Sequence, residues 1–268
     1  MSGRVYLGKQ HVGEIYTYVK INKFVTEKLK SPVSRYIVDE QGVAKRIEFD
    51  FTDAFKDVKS IESGALSNAF TSCSGITGSV NFPELTTVGS YGLEHSFMNC
   101  TGITSVSFPK LTTVGSYGLN SAFNRCTGIT SVSFPELTSV DERALLFAFQ
   151  NCTGITSVSF PKLTTVGSSG LDNAFSGCTG IEGSVNFPEL TTVGSYGFNY
   201  VFYGCTGITS VSFPKLTTIS SYGLRYAFNG CTEITELHFR ADAQSVIEAQ
   251  NGYENKFGAT NATIYFDL

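Results

Sequence analysis

The chain has no tryptophan, two methionines and three histidines among its 268 residues. The histidines, His11, His95 and His238, fall far apart, and no HExxH, glycine-rich phosphate loop or nucleophile elbow occurs. Serines are abundant, but none has an adjacent base to activate it. The carboxylate pair Asp141-Glu142 sits where a helix start would favour negative charge. The cysteines form no CxxC pair and no Cys/His spacing of a zinc site. No apolar run is long enough to span a membrane, and the opening MSGRVYLGKQ lacks the apolar core of a signal peptide. Together these absences point to a non-enzymatic chain with no cofactor, no metal and no membrane insertion.

Charge is sparse and unevenly placed. Residues 1–46 carry nine Lys/Arg against four Asp/Glu, and the remainder carries ten against nineteen. The acidic body repels phosphate, which argues against nucleic acid. The basic entry segment is either an ordinary solvated surface or a dock for an acidic assembly partner.

What the chain does have is repetition. The stretch CTGITSVSFPKL occurs intact from Cys100, Cys152 and Cys205, and the seven cysteines at 73, 100, 126, 152, 178, 205 and 231 are spaced by 26 or 27 residues. A fixed period of this size marks a solenoid. The two longer units each contain one extra glycine, Gly78 or Gly183, in a position suited to a bulge or longer turn.

Within a unit, SVSF alternates in the manner of a short strand with Val106 and Phe108 inward, and Pro109 ends it. Leu119, Ala122, Phe123 and Cys126 then follow i, i+3, i+4, i+7, which predicts a short amphipathic helix. Gly115 and its equivalents suit the N-cap, and Gly128 suits a left-handed stop. The expected fold is therefore an α/β repeat solenoid. Each of its 26–27-residue repeats carries one strand and one short helix, and the strands form a parallel sheet.

One unit buries too little apolar surface to offset the ordering of its backbone, so units must stack. Glu84, Lys110, Glu136, Lys162, Glu189 and Lys215 share one column, and stacking in register places opposite charges side by side at each step. The inward cysteines read as small buried hydrophobes. Residues 1–50 read as a β-rich N-terminal cap or anchor with a hinge around Pro32, residues 51–240 as the solenoid, and residues 241–268 as a C-terminal cap. In that cap Asp242 starts a helix and ATIYF adds a strand.

The pattern AFNRCTGITSVSFPELTSV resembles bacterial leucine-rich repeats of the BspA type over residues 54–240, and NKFGATNATIYFDL resembles the closing segment of such proteins from gut bacteria and their prophages. The resemblance implies a secreted, surface-displayed or virion-associated binding protein, adhesin-like, with no catalytic residues.

Two surfaces are candidates for binding. On the predicted helix face the outward residues differ from unit to unit, and His95, Phe147, Tyr200, Tyr203, Arg225 and Tyr226 include side chains that anchor interfaces; free drift of exposed positions is the alternative. The strand face, with Ser107, Ser133, Ser159 and Ser212, is flat and repetitive, suited to a glycan but without aromatic platforms. Paired threonines such as Thr112/Thr113 resemble ice-binding ladders and also suit an ordinary turn flank. The partner class is a protein or cell-surface ligand, with a rigid spacer in a cell-surface or phage-tail assembly as the competing reading.

Overall fold

The computed structural model describes residue 55, residues 57–73 and residues 75–268, together with the backbone of four short strands before them. Those four form two antiparallel hairpins, Gly3–Leu7 with Gln10–Ile15 and Tyr36–Val38 with Ala44–Arg46. The cap or anchor expected of residues 1–50, the assembly contact through residues 1–46 and the Pro32 hinge lie outside the described residues.

From Phe55 onward the chain winds as a three-walled solenoid. One wall is a seven-stranded parallel sheet of two-residue strands, among them Thr87–Val88, Thr113–Val114 and Thr165–Val166, with the chain advancing one strand per turn. Here the first threonine of each pair ties one rung to the last: Thr112 Oγ1 donates to the Thr86 carbonyl at 3.0 Å and Thr164 Oγ1 to the Thr138 carbonyl at 2.9 Å. The second wall holds the serine strands, including Ile103–Ser107, Ser131–Ser133, Ser157–Ser159 and Gly207–Phe213. Gly78 and Gly183 stand at register shifts in this wall, both with positive φ.

The third wall corrects the sequence expectation. Where a helix was expected, residues 89–100 and their equivalents form a chain of overlapping turns. Alternate amides close turns, as in Gly92 N to Gly89 O at 2.9 Å and Glu94 N to Tyr91 O at 3.2 Å. The amides between them bond to the next rung, as in Leu93 N to Gly118 O and His95 N to Asn120 O, both at 2.8 Å. Spacing explains the choice. The sheet walls set neighbouring rungs about 4.8 Å apart, whereas packed helices need about 8–10 Å between axes. A column of helices cannot keep step with two strand walls, but turns that bond from rung to rung can. The inward positions survive the change: Leu119, Ala122, Phe123 and Cys126 are all fully buried.

Gly128 likewise serves another purpose than a left-handed stop. A Cβ there would lie 2.6 Å from the Ile103 carbonyl oxygen, so only glycine admits the close approach of the rungs.

The core is two parallel stacks of phenylalanine. Phe108, Phe134 and Phe160 repeat at 5.5 and 5.3 Å, and Phe123, Phe149 and Phe175 at 5.3 and 5.4 Å. The stacks meet edge to face, as in Phe134–Phe149 at 6.2 Å, an arrangement the ring quadrupoles favour. The six thiols from Cys100 to Cys231 lie beside them in no disulfide. Each donates to a phenylalanine carbonyl of the preceding rung, at 3.0 Å for Cys152 Sγ to Phe123 O.

The charged column resolves into separate pairs instead of a continuous ladder. Lys110 Nζ reaches both oxygens of Glu84 at 2.8 Å, and Lys162–Glu136 and Lys215–Glu189 close to 2.7 Å. Lys110 makes no ion pair with Glu136, nor Lys162 with Glu189. The serine wall is divided at the same places. Ile103–Ser107 pairs with Gly78–Asn81, Ser131–Ser133 with Ser157–Ser159, and Glu182–Asn186 with Gly207–Phe213. Between those pairs the contact falls to single bonds, Thr130 N to Thr104 O and Glu182 N to Thr156 O. Along the six rungs that carry this column, alternation of Glu and Lys thus marks paired rungs; beyond them Gly207–Phe213 pairs onward with Glu236–Phe239.

At the far end, a 3-10 turn (Ala241–Ala243), a helix (Gln244–Glu248) and a second 3-10 stretch (Tyr253–Gly258) lead to Thr263–Phe266, which pairs in parallel with Glu236–Phe239. Asp242, expected to cap the helix, instead accepts a hydrogen bond from Arg240 at 2.8 Å.

Candidate functional site

The turn wall carries the variable side chains on columns with left-handed backbone. Tyr91, Tyr117, Arg143, Ser169, Tyr196 and Tyr222 form one such column, with φ between 52 and 60°. His95, Ser121, Phe147, Asn173, Tyr200 and Tyr226 form the next, with φ between 50 and 55°. Left-handed backbone costs an L-residue about 1–2 kcal/mol. Rung-to-rung bonds from these amides repeat up to the rung of Tyr196 and Tyr200 and hold each residue there in place.

Of the residues singled out in the sequence, four come together. Tyr200 stacks on Tyr226 at 5.1 Å and meets Tyr203 edge to face at 5.7 Å. The Arg225 guanidinium lies over the Tyr226 ring at 4.8 Å and the Tyr222 ring at 5.4 Å, in cation–π geometry. Tyr222 in turn stacks on Tyr196 at 5.0 Å. Five tyrosines and one arginine therefore form a continuous network over two rungs, with Tyr203 and Tyr222 exposed at 46% and 37%. His95 and Phe147 lie in the Tyr200 column but on other rungs, both half-buried, and do not touch the cluster.

Tyr196 and Tyr222 escaped the sequence reading. They belong to the Ser-Tyr-Gly motif that also contains Tyr91 and Tyr117, and repetition made them look like scaffold. That motif was the signal. The earlier pair is a smaller version of the cluster: Tyr91 stacks on Tyr117 at 4.9 Å, and Arg143 donates to the Tyr117 hydroxyl at 2.7 Å.

Alongside these columns runs a polar one. Asn120 and Asn199 are buried, as is Ser121. Asn120 Nδ2 donates to Glu94 at 3.1 Å, and Asn199 Nδ2 to Asp172 Oδ1 at 3.0 Å. Burial pushes the Asp172 carboxyl above its ordinary range, against the opposing pull of the Asn199 and Asn173 amides. The Asn199 Oδ1 is buried without a hydrogen-bond partner.

The serine wall is largely occupied with itself. Ser79 and Ser105 share a hydrogen bond at 2.7 Å, as do Ser184 and Ser210, and Ser212 Oγ donates to Asn186 at 2.7 Å. Ser107 and Ser212 are half-buried, while Ser133 and Ser159 are exposed. Among the described residues no group of three His, Cys, Asp or Glu side chains is placed to hold a metal ion, and no helix is long and apolar enough to cross a membrane.

A stack of near-identical rungs with diversity on one outer wall defines a repeat protein. The chain belongs to the BspA type leucine-rich repeat family, which matches residues 50–169 and 146–251 in 6 copies. Among solved structures it is similar to a leucine-rich repeat protein from Bacteroides ovatus (16% identity, 89% of this chain and 69% of that one, TM-score 0.34). It is also similar to the T. pallidum leucine-rich repeat protein (17%, 71% and 86%, TM-score 0.39). A third is a leucine-rich cell surface protein from Faecalibacterium prausnitzii (15%, 77% and 73%, TM-score 0.29). No curated protein matches the chain.

Proposed function

We propose that this protein is a non-enzymatic recognition module, displayed on a cell surface or virion, and that its contact surface is the tyrosine face of the last turn-wall rungs. The observation that carries this reading is the continuous Tyr196–Tyr222–Arg225–Tyr226–Tyr200–Tyr203 network. Tyrosine and arginine are the residues enriched at interface hot spots, and stacking fixes their rotamers before any partner arrives. The repeat family supports a binding role.

The test is binding of the labelled chain to a panel of bacterial cells, extracellular-matrix proteins and purified glycans, with Tyr200, Tyr203 and Tyr226 replaced together by Ser in a parallel sample. A saturable partner lost in the triple variant, with the circular dichroism spectrum unchanged, is the expected result. A partner retained by the triple variant refutes the face.

The competing reading is a rigid spacer, favoured by bonds that run rung to rung along the threonine and turn walls. It predicts that the triple variant is neutral and that removal of residues 1–46 abolishes assembly. Glycan binding at the serine wall predicts sensitivity to bulky residues at Ser133 and Ser159.

A further inference from the structure

From Tyr91 to Asn99 and at the equivalent positions, the backbone hydrogen bonds between rungs run one way: alternate amides donate to the next rung, and of the amides only those of Gly89 and its equivalents donate back, as the thiols do. In its alternate amides the wall therefore has a donor end. In the next-to-last rung five amides are satisfied in this manner, from Tyr196, Phe198, Tyr200, Phe202 and Gly204 to the carbonyls of Ser221, Gly223, Arg225, Ala227 and Asn229. In the last rung only Phe228 finds an acceptor, the Phe257 carbonyl at 3.0 Å. The amides of Tyr222, Leu224, Tyr226 and Gly230 have no partner among the described residues. Leu224 is fully buried, but Tyr222 and Gly230 are exposed and Tyr226 is half-buried.

This donor end coincides with the tyrosine cluster. Arg225 sits between Tyr222 and Tyr226, and no carboxylate among the described residues forms an ion pair with it. Among the described residues, then, two unpaired backbone amides, of Tyr222 and Tyr226, flank in sequence a guanidinium that no carboxylate neutralises. We propose that this edge binds an extended acidic protein segment, whose carboxylates accept from Arg225 and from the Tyr222 and Tyr226 amides; this rests on the tyrosine-face reading above.

Two features select the occupant. An ordinary β-strand presents N–H and C=O alternately along its edge, so half of its groups would meet like partners here. Carboxylates only accept, and they match an edge that only donates. A sugar ring needs an open aromatic face, and at Tyr222 and Tyr226, which flank Arg225, both faces are taken: Tyr196 covers Tyr222, Tyr200 covers Tyr226, and Arg225 lies over both. What these two rings leave outward are edges and hydroxyls, which suit a protein partner.

The experiment titrates the full chain with fluorescein-labelled hexaglutamate at low salt, read by anisotropy, and follows backbone amide resonances by NMR. Expected are saturable binding, shifts of the Tyr222, Tyr226 and Gly230 amides, and at least tenfold weaker binding in Arg225→Gln. Arg125→Gln, an exposed arginine on the same wall, is expected to be neutral. The proposal is overturned if hexaglutamate does not bind, if both arginine variants weaken it equally, if those amides stay still, or if a sulfated dextran binds while hexaglutamate is silent. A panel partner lost in the triple tyrosine variant but kept by Arg225→Gln sinks the acidic segment and leaves the tyrosine face standing. Hexaglutamate binding that survives the triple variant gives the reverse.

Discussion

The thiol column offers a stringent test of the stacked core. Cys100, Cys126, Cys152, Cys178 and Cys205 are fully buried and Cys231 nearly so, each donating to a carbonyl of the rung before. Burial pushes Cys152 and Cys231 up to about 12 from the ordinary 9.0. At pH 8, a thiol titrating at about 12 is thiolate about once in ten thousand, against about once in ten at 9.0. Since the thiolate is the nucleophile, its population alone slows reaction about a thousandfold, before access is considered. The assay adds a chromogenic disulfide reagent at pH 8 and locates the modified residues by mass spectrometry. One fast thiol is expected in the native protein, half-buried Cys73 in the first rung, with the other six reacting at the rate of unfolding and all seven at once in denaturant. Fast modification of Cys126, Cys152 or Cys178 would refute the stacked core.

Two further predictions concern charge. Lys162→Glu places a carboxylate beside Glu136 and should destabilise the protein by about 0.5–1 kcal/mol in urea at low salt, while the swap Glu136→Lys with Lys162→Glu restores it; a swap as unstable as the single variant counts against the paired geometry. His238 is held above its ordinary value chiefly by the hydrogen bond with Asp267, with Glu236 adding to it. Its contribution is therefore fully present below about pH 6.5 and is lost as pH rises through the raised value. The protection factors of Thr263–Phe266, with exchange corrected for its intrinsic pH dependence, should fall across that window in the native protein and stay flat in His238→Gln.

Much of the architecture was legible because repetition multiplies weak signals. A single Val-Ser-Phe alternation says little, but Val106, Val132 and Val185 in register fix the serine wall and its inward face. The i, i+3, i+4, i+7 spacing of Leu119, Ala122, Phe123 and Cys126 identified the buried positions correctly and the backbone wrongly. A chain of turns brings the same residues inward, and only the spacing imposed by the other two walls decides between them. Asn120 and Asn199 are polar yet buried, which the residue type alone does not signal; the side-chain amide of each donates to a carboxylate in the adjacent rung. Tyr196 and Tyr222 were overlooked because they recur; a residue repeated for packing and one repeated for display look alike in a single sequence.

The doubling of rungs has a mechanical consequence. Two walls are joined from rung to rung, while the serine wall is interrupted where Ile103–Ser107 meets Ser131–Ser133 and where Ser157–Ser159 meets Glu182–Asn186, and runs unbroken from Glu182–Asn186 through Gly207–Phe213 and Glu236–Phe239 to Thr263–Phe266. A rod built this way is stiff towards the continuous walls and compliant towards the divided one. Bending therefore concentrates at two places, between Ser107 and Ser131 and between Ser159 and Glu182, and opens the serine wall like the pages of a book. Curvature along the molecule then changes at those two steps, each where a glutamate follows a lysine in one exposed column.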